Sequence, residues 1–186
     1  MQPLNPASND SGKCSLARVD VPRPLSEHGT VGNMRTLALV AKDGTIDFLC
    51  WPYFDSPSIF AALLDPDRGG AFELSPHIDG ERRLQMYVPE SNVLTTRWLG
   101  TSQSAQITDF MPLPKQVDGP LSLIRRIEVT RGEVTFDMRC WPRFDYARSM
   151  PDVTICDDHV IFQGEGLGLR LSGPLAFKKD EGGVLS

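Results

Sequence analysis

From Gly70 onward the chain is dominated by short runs in which apolar and polar residues alternate with a period of two. Turn formers bound each run, the pattern half-buried antiparallel strands require. Leu84, Met86 and Val88 alternate with Arg83, Gln85 and Tyr87. Val134, Phe136, Met138 and Cys140 alternate with Thr135, Asp137 and Arg139, and each set is expected to line one face of a sheet. Similar runs begin at Val93, Ser104, Leu121, Val153, His159 and Leu167. Upstream, Asp43-Gly44 separates the apolar runs of segment 36–50, a strong hairpin signal. Ser56 can cap and Pro57 suits a first helical position, so residues 58–64 are expected to form one short helix ended by Asp65-Pro66. About ten strands joined by turns rather than helices predict a mainly β fold, an antiparallel β-sandwich with one short helix.

Length changes this picture little, since 186 residues suffice for one core. The first stretch, 1–24, is rich in Pro, Asn, Ser and Gly and is expected to be a flexible tail, leaving 25–186 as the sandwich domain. A net charge of −5 without a Lys/Arg block argues against nucleic acid and anionic membranes as partners. No apolar run approaches the roughly 20 residues of a membrane span, and the first fifteen residues hold no signal-like apolar core, so a cytoplasmic location is expected. The four cysteines, Cys14, Cys50, Cys140 and Cys156, lack C-x-x-C spacing and read as isolated buried or half-buried thiols. His28, His77 and His159 have no ligand spacing, and no metal or cofactor is expected. The glycines of segment 164–168 lack the Lys-Ser/Thr of a phosphate loop and read as a turn.

Two near-identical hexapeptides stand out, Cys50-Trp-Pro-Tyr-Phe-Asp55 and Cys140-Trp-Pro-Arg-Phe-Asp145. In each, a proline lacking an N–H ends a strand. Trp51 or Trp141 could stack on a pyranose while Asp55 or Asp145 accepts hydroxyl hydrogen bonds. The reading that these residue types favour is structural: the aromatics anchor the sheet edge and the aspartates cap turns. Sugar hydrolysis commonly uses two carboxylates about 5 to 9.5 Å apart, but spacing in sequence gives no such distance and neither aspartate is assigned as catalytic. Arg35, Trp51, Phe54, Asp55, Trp141, Arg143 and Asp145 are therefore candidates for a substrate rim or a domain interface. Arg125 and Arg126 are adjacent in a strand, so they should point to opposite faces, one of them partly buried and paired.

Taken in order, Gly32-Asn-Met-Arg-Thr-Leu-Ala-Leu-Val40, the segment from Asp43 to Pro57 (DGTIDFLCWPYFDSP), Thr108-Asp-Phe-Met-Pro112 and Pro142-Arg-Phe-Asp-Tyr146 resemble one known module. It is the N-terminal domain of bacterial glucoamylase-like and trehalase-like glycoside hydrolases of family 15, and the resemblance extends over about 25–175. Phe48 stands where that family often carries Trp, and His28-Gly29-Thr30 where it often has an aromatic-led apolar strand. The resemblance implies a supersandwich-like β domain followed, beyond residue 186, by an α/α-toroidal domain that cleaves α-glucosidic bonds with inversion through two glutamates. No residue of this chain matches either glutamate. The implied partners are that downstream helical domain and α-glucosides, with homo-oligomerisation left open. A self-standing carbohydrate-binding sandwich and a docking or oligomerisation module are the alternatives.

Overall fold

The computed structural model describes residues 23–113, 119–164, 166–180 and 182–186. The segment expected to be a tail, 1–24, lies outside the described residues apart from its last two. Arg23 is one of these, and its guanidinium pairs with Asp43 at 2.6 Å.

The first hairpin follows the turn signal. Strands β1 (His28–Gly32), β2 (Leu37–Ala41) and β3 (Ile46–Cys50) pair antiparallel in succession. At the β2–β3 turn, Gly44 has φ 85°, and a Cβ there would lie 2.5 Å from the Leu74 carbonyl oxygen, so only glycine fits. Within β3, Ile46 and Leu49 both face the core although they are three residues apart. Strict alternation forbids this, and a bulge resolves it: Leu39 pairs with Phe48 and Val40 with Ile46, leaving Asp47 as the extra residue.

The expected helix over 58–64 does not form. Residues Ser58–Phe60 are instead β4, with Leu49 opposite Phe60 and Cys50 opposite Ser58. Ser58, Ile59, Phe60 and Ala61 are all buried, and the Arg143 N–H donates to the Ile59 carbonyl at 2.9 Å. A strand with partners on both sides satisfies its backbone and buries consecutive side chains, whereas a helix would leave one stripe outside. Tertiary pairing overrides the local capping signal. One α-turn survives, with the Asp65 N–H on the Ala61 carbonyl, and the Asp65 carboxylate then caps the N–H groups of Asp67 and Arg68.

Strand β5 (Ala71–Pro76) continues the first sheet. Then β6 (Arg82–Tyr87), β7 (Leu94–Leu99), β8 (Ser104–Phe110) and β9 (Ile124–Arg131) form a four-stranded antiparallel meander. After β10 (Phe136–Trp141), α1 (Phe144–Ala147) is a single turn whose Asp145, Tyr146 and Ala147 have φ of 49°, 54° and 65°; the other helical piece among the described residues is the 3-10 turn Leu25–Glu27 ahead of β1. A three-stranded sheet, β11 (Asp152–Ile155), β12 (His159–Gly164) and β13 (Leu167–Ser172), follows, and β14 (Lys178–Asp180) and β15 (Gly183–Leu185) return to the first sheet. That sheet has the order β1-β2-β3-β5-β10-β15-β14, with β4 on β3. The fold is mainly β and antiparallel, with the four- and three-stranded sheets facing the eight-stranded one.

The core lies between these layers: Val31, Val40, Ile46 and Val184 from the large sheet meet Leu94, Trp98 and Ile107 from the meander and Val160 and Phe162 from the small sheet. The two arginines divide as expected. Arg126 is exposed, whereas the Arg125 side chain is 4% exposed and crosses between layers. Its Nε donates to Asp109 Oδ1 at 2.9 Å, another nitrogen to the Phe72 carbonyl at 3.0 Å, and a third to the Gly44 carbonyl. In β6 the inward residues are the polar set. Arg83, Gln85 and Tyr87 lie opposite the inward Trp98, Thr96 and Leu94 of β7, and the Gln85 amide donates to the Val40 carbonyl at 3.1 Å.

Candidate functional site

One end of the sandwich gathers most of the candidate residues. The β1–β2 turn is built by Asn33, which is buried and accepts the N–H groups of Arg35 and Thr36, each at 3.1 Å. This turn holds Met34 at φ 69° and leaves its side chain 86% exposed. The Thr36 hydroxyl donates to the Cys50 carbonyl at 2.5 Å, fixing the turn to the end of β3. There the loop 51–57 begins with a cis Trp51–Pro52 bond. It closes on itself through the Trp51 N–H on the Pro57 carbonyl and the Tyr53 N–H on the Ser56 hydroxyl. The Phe54 N–H donates to the Arg35 carbonyl at 2.8 Å, and the Arg35 guanidinium lies 6.0 Å from the centre of the Tyr53 ring. Arg35, Trp51, Phe54 and Asp55 thus belong to one cluster. Within it Trp51 is half-buried and Tyr53, Phe54 and Asp55 are exposed.

Beside this cluster runs an open groove of about 460 Å³. Its walls are chiefly apolar, with Met34, Leu37, Phe54, Val93, Phe110 and Leu113 among them, and Thr30 and Asn92 supply polar atoms. The Asn92 amide is engaged with the Gly32 carbonyl at 2.9 Å. Among the described residues no group of three or more His, Cys, Asp or Glu could hold a metal ion.

The second hexapeptide reaches the same end differently. In the base sheet Ile46 and Cys140 both oppose Phe72, so the two cysteines sit four residues out of step. Trp141 still belongs to β10, is buried, and has the Arg139 guanidinium 4.3 Å over its ring. Arg143 donates to the carbonyls of Pro142 at 3.0 Å and Gly182 at 2.8 Å. Asp145 lies in the left-handed turn, 3.6 Å from Arg148. That turn brings the Tyr146 side chain to the Cys50 thiol, and the Arg143 N–H binds β4, so the two motifs meet across β4. Burial raises the Cys50 thiol above its ordinary value, with the Tyr146 hydrogen bond opposing, and pushes the Cys140 thiol up to about 12. Both are buried, and a raised thiol carries less of the nucleophilic thiolate. Met34, Leu113 and Tyr146 were not among the sequence candidates, and no local pattern singles them out.

A family model described as trehalase-like, N-terminal, matches residues 18–177. The chain belongs to the trehalase-like N-terminal domain family. Among curated relatives it is 31% identical to a trehalase of Thermoplasma volcanium over 84% of this chain and 26% of that protein. It is 36% identical to trehalase 1 of Sulfolobus acidocaldarius over 72% of this chain and 22% of that protein. With a trehalase of Mycolicibacterium smegmatis the identity is 30% over 67% of the chain and 21% of that protein. The chain therefore spans about a quarter of the length of these relatives. No solved structure matches. No helix among the described residues is long and apolar enough to cross a membrane.

In this trehalase-like N-terminal domain the most distinctive motif residues have structural work. Asp47 is buried in its bulge, with Oδ2 2.9 Å from His28 Nε2, while His28 Nδ1 lies 3.0 Å from the Pro24 carbonyl. The Pro24 carbonyl requires Nδ1 to donate, which fixes the ring with Nε2 facing the Asp47 carboxyl. Burial raises the Asp47 carboxyl, and His28 and Arg23 oppose that rise. Asp109, from the Thr108–Pro112 motif, is the partner of Arg125 described above.

Proposed function

We propose that this chain is the accessory N-terminal sandwich of an α-glucoside hydrolase, seated against a helical catalytic domain and supporting it, with no turnover of its own. The observation that carries the reading is the apolar end built from Met34, Tyr53, Phe54 and Leu113, which are 86%, 46%, 55% and 65% exposed around the groove. Large apolar side chains clustered in this way and rimmed by polar groups mark an interaction surface. The candidate residues Arg35, Trp51, Phe54 and Asp55 then act at this contact. Trp141, Arg143 and Asp145 support it from behind through β4 and the left-handed turn. The finer assignment, an inverting enzyme with two glutamates acting on trehalose or maltooligosaccharides, rests on the resemblance to family 15 and on the trehalase relatives; a cytoplasmic location rests on the sequence pattern alone.

The test uses the full-length parent. Phe54→Asp should lower its Tm and its kcat on trehalose or maltose together, because a charge at a closed apolar contact must be desolvated. Unchanged Tm and kcat would refute docking at this end. A second reading, sugar binding by the sandwich itself, is favoured by the exposed Tyr53 ring beside Arg35 and Asp55. It requires a saturable change in tryptophan fluorescence with trehalose or maltooligosaccharides, which docking alone does not produce.

A further inference from the structure

The layer facing the eight-stranded sheet is interrupted. It consists of β6-β7-β8-β9 and β11-β12-β13, and among the described residues nothing pairs with the outer side of β9 or of β13. Arg125 of β9 reaches the Phe72 carbonyl in β5, whereas β11 lies against β14, the far strand of the large sheet. The small sheet therefore presents β13, not β11, toward β9.

Burial falls abruptly at both edges. Ile107 is 0% exposed, yet Ile127 directly opposite it on β9 is 38% exposed; Ala105 is 1% exposed and its partner Val129 is 42%. On the other side Val160 and Phe162 are fully buried, while their partners Leu171 and Leu169 on β13 are only half-buried. In each pair both side chains point to the same face, so the difference measures where the cover stops. Phe72 and Phe136 of the large sheet are half-buried too, the Phe72 ring lying under the Arg125 guanidinium at 4.8 Å. The β9 edge is eight residues long and free of proline; its charges Arg126 and Glu128 point to the outer face, while Ile127 and Val129 point to the inner one.

We propose that the slot between β9 and β13 receives an extended segment of the same polypeptide from beyond these 186 residues, joining the two small sheets into one layer. The segment is recognised by main-chain hydrogen bonding to one or both edges. Its alternate side chains are apolar and point inward over Ile127, Val129, Leu169 and Leu171. The inference rests on the reading of this chain as part of a longer hydrolase, and the coverage of its relatives leaves about three-quarters of their length as a source.

Two measurements on the native gene product separate the inference from that reading. Intact mass comes first: a product of 186 residues would remove both the parent and the inserted segment. With a longer product, residue-resolved amide hydrogen exchange of the parent compares the slot-facing amides of β9 and β13 with the outward amides of β6, the other edge of the meander. Insertion predicts exchange at least roughly 100-fold slower at β9 and β13 than at β6. Exchange at the β6 rate would overturn the proposal while leaving the hydrolase reading standing. Protection that appears only as the protein dimerises would assign the strand to a second copy and also overturn it. Ile127→Asp in the parent provides an independent readout: it should lower Tm if the residue is covered and leave it unchanged on an open edge.

Discussion

Arg125 is the side chain on which the joining of the layers depends most directly. Replacing it with Met keeps the length of the stem and removes the guanidinium. Asp109, fully buried, then loses its cation, and the carbonyls of Phe72 and Gly44 lose their donors. Removing one partner of a buried pair costs about 3–5 kcal/mol, because the remaining charge stays desolvated and unpaired. For a domain of this size each kcal/mol shifts Tm by about 2–4 °C, so Arg125→Met should lower Tm by roughly 6–20 °C. Two comparisons isolate the cause. Arg126→Met, at the exposed neighbour, should change stability by no more than about 0.5 kcal/mol. Combining Arg125→Met with Asp109→Leu should recover most of the loss, since a buried pair replaced whole by apolar groups is often neutral. Urea and thermal melts followed through tryptophan fluorescence measure all three. A loss below about 1 kcal/mol for Arg125→Met, or a double variant worse than the single one, would refute the argument from desolvated charge.

Two further outcomes follow from the titrating groups. The folded state holds the Asp47 proton above the ordinary value of 3.8, so the unfolded state binds fewer protons just above that pH. The Asp47 contribution is therefore fully present below 3.8 and is lost as pH rises through the raised folded value. Asp47→Asn should flatten that part of the stability–pH curve, measured by urea midpoints from pH 3 upward; an unchanged slope would show that Asp47 does not titrate in this way. Among the described cysteines, Cys156 is half-buried while Cys140 is buried with its thiol near 12. Brief alkylation of the native protein followed by peptide mass mapping should label Cys156 well ahead of Cys140, and equal labelling would contradict the buried placement.

Much of this domain is legible in the sequence because its local chemistry admits few alternatives. Asp43-Gly44 predicts the hairpin since the turn needs a residue with positive φ. The runs from Ser104, His159 and Leu167 become β8, β12 and β13 because period-two patterns bounded by turn residues have no helical solution. The opposite facing of Arg125 and Arg126 follows from strand geometry alone. Alternation does not say which face is inward: in β6 the apolar set Leu84 and Met86 faces outward, and Gln85 enters, its amide donating to the Val40 carbonyl.

What the tertiary structure decides has a common physical cause, competition for backbone partners and buried volume by residues distant in the chain. Segment 58–64 carries a sound helix start, but β3 and Arg143 offer the backbone of Ser58–Phe60 hydrogen bonds on both sides; those three residues become a strand and the rest a turn. The matching hexapeptides lie four residues out of register, so Trp141 is buried in the sheet while the loop after Trp51 projects Tyr53 and Phe54. Met34 and Leu113 join Phe54 at one groove because three separate chain segments end there, a convergence no local pattern encodes. Sequence alone determines strand, turn and family. Pairing across the sheets determines which side chains reach the surface where this domain can act.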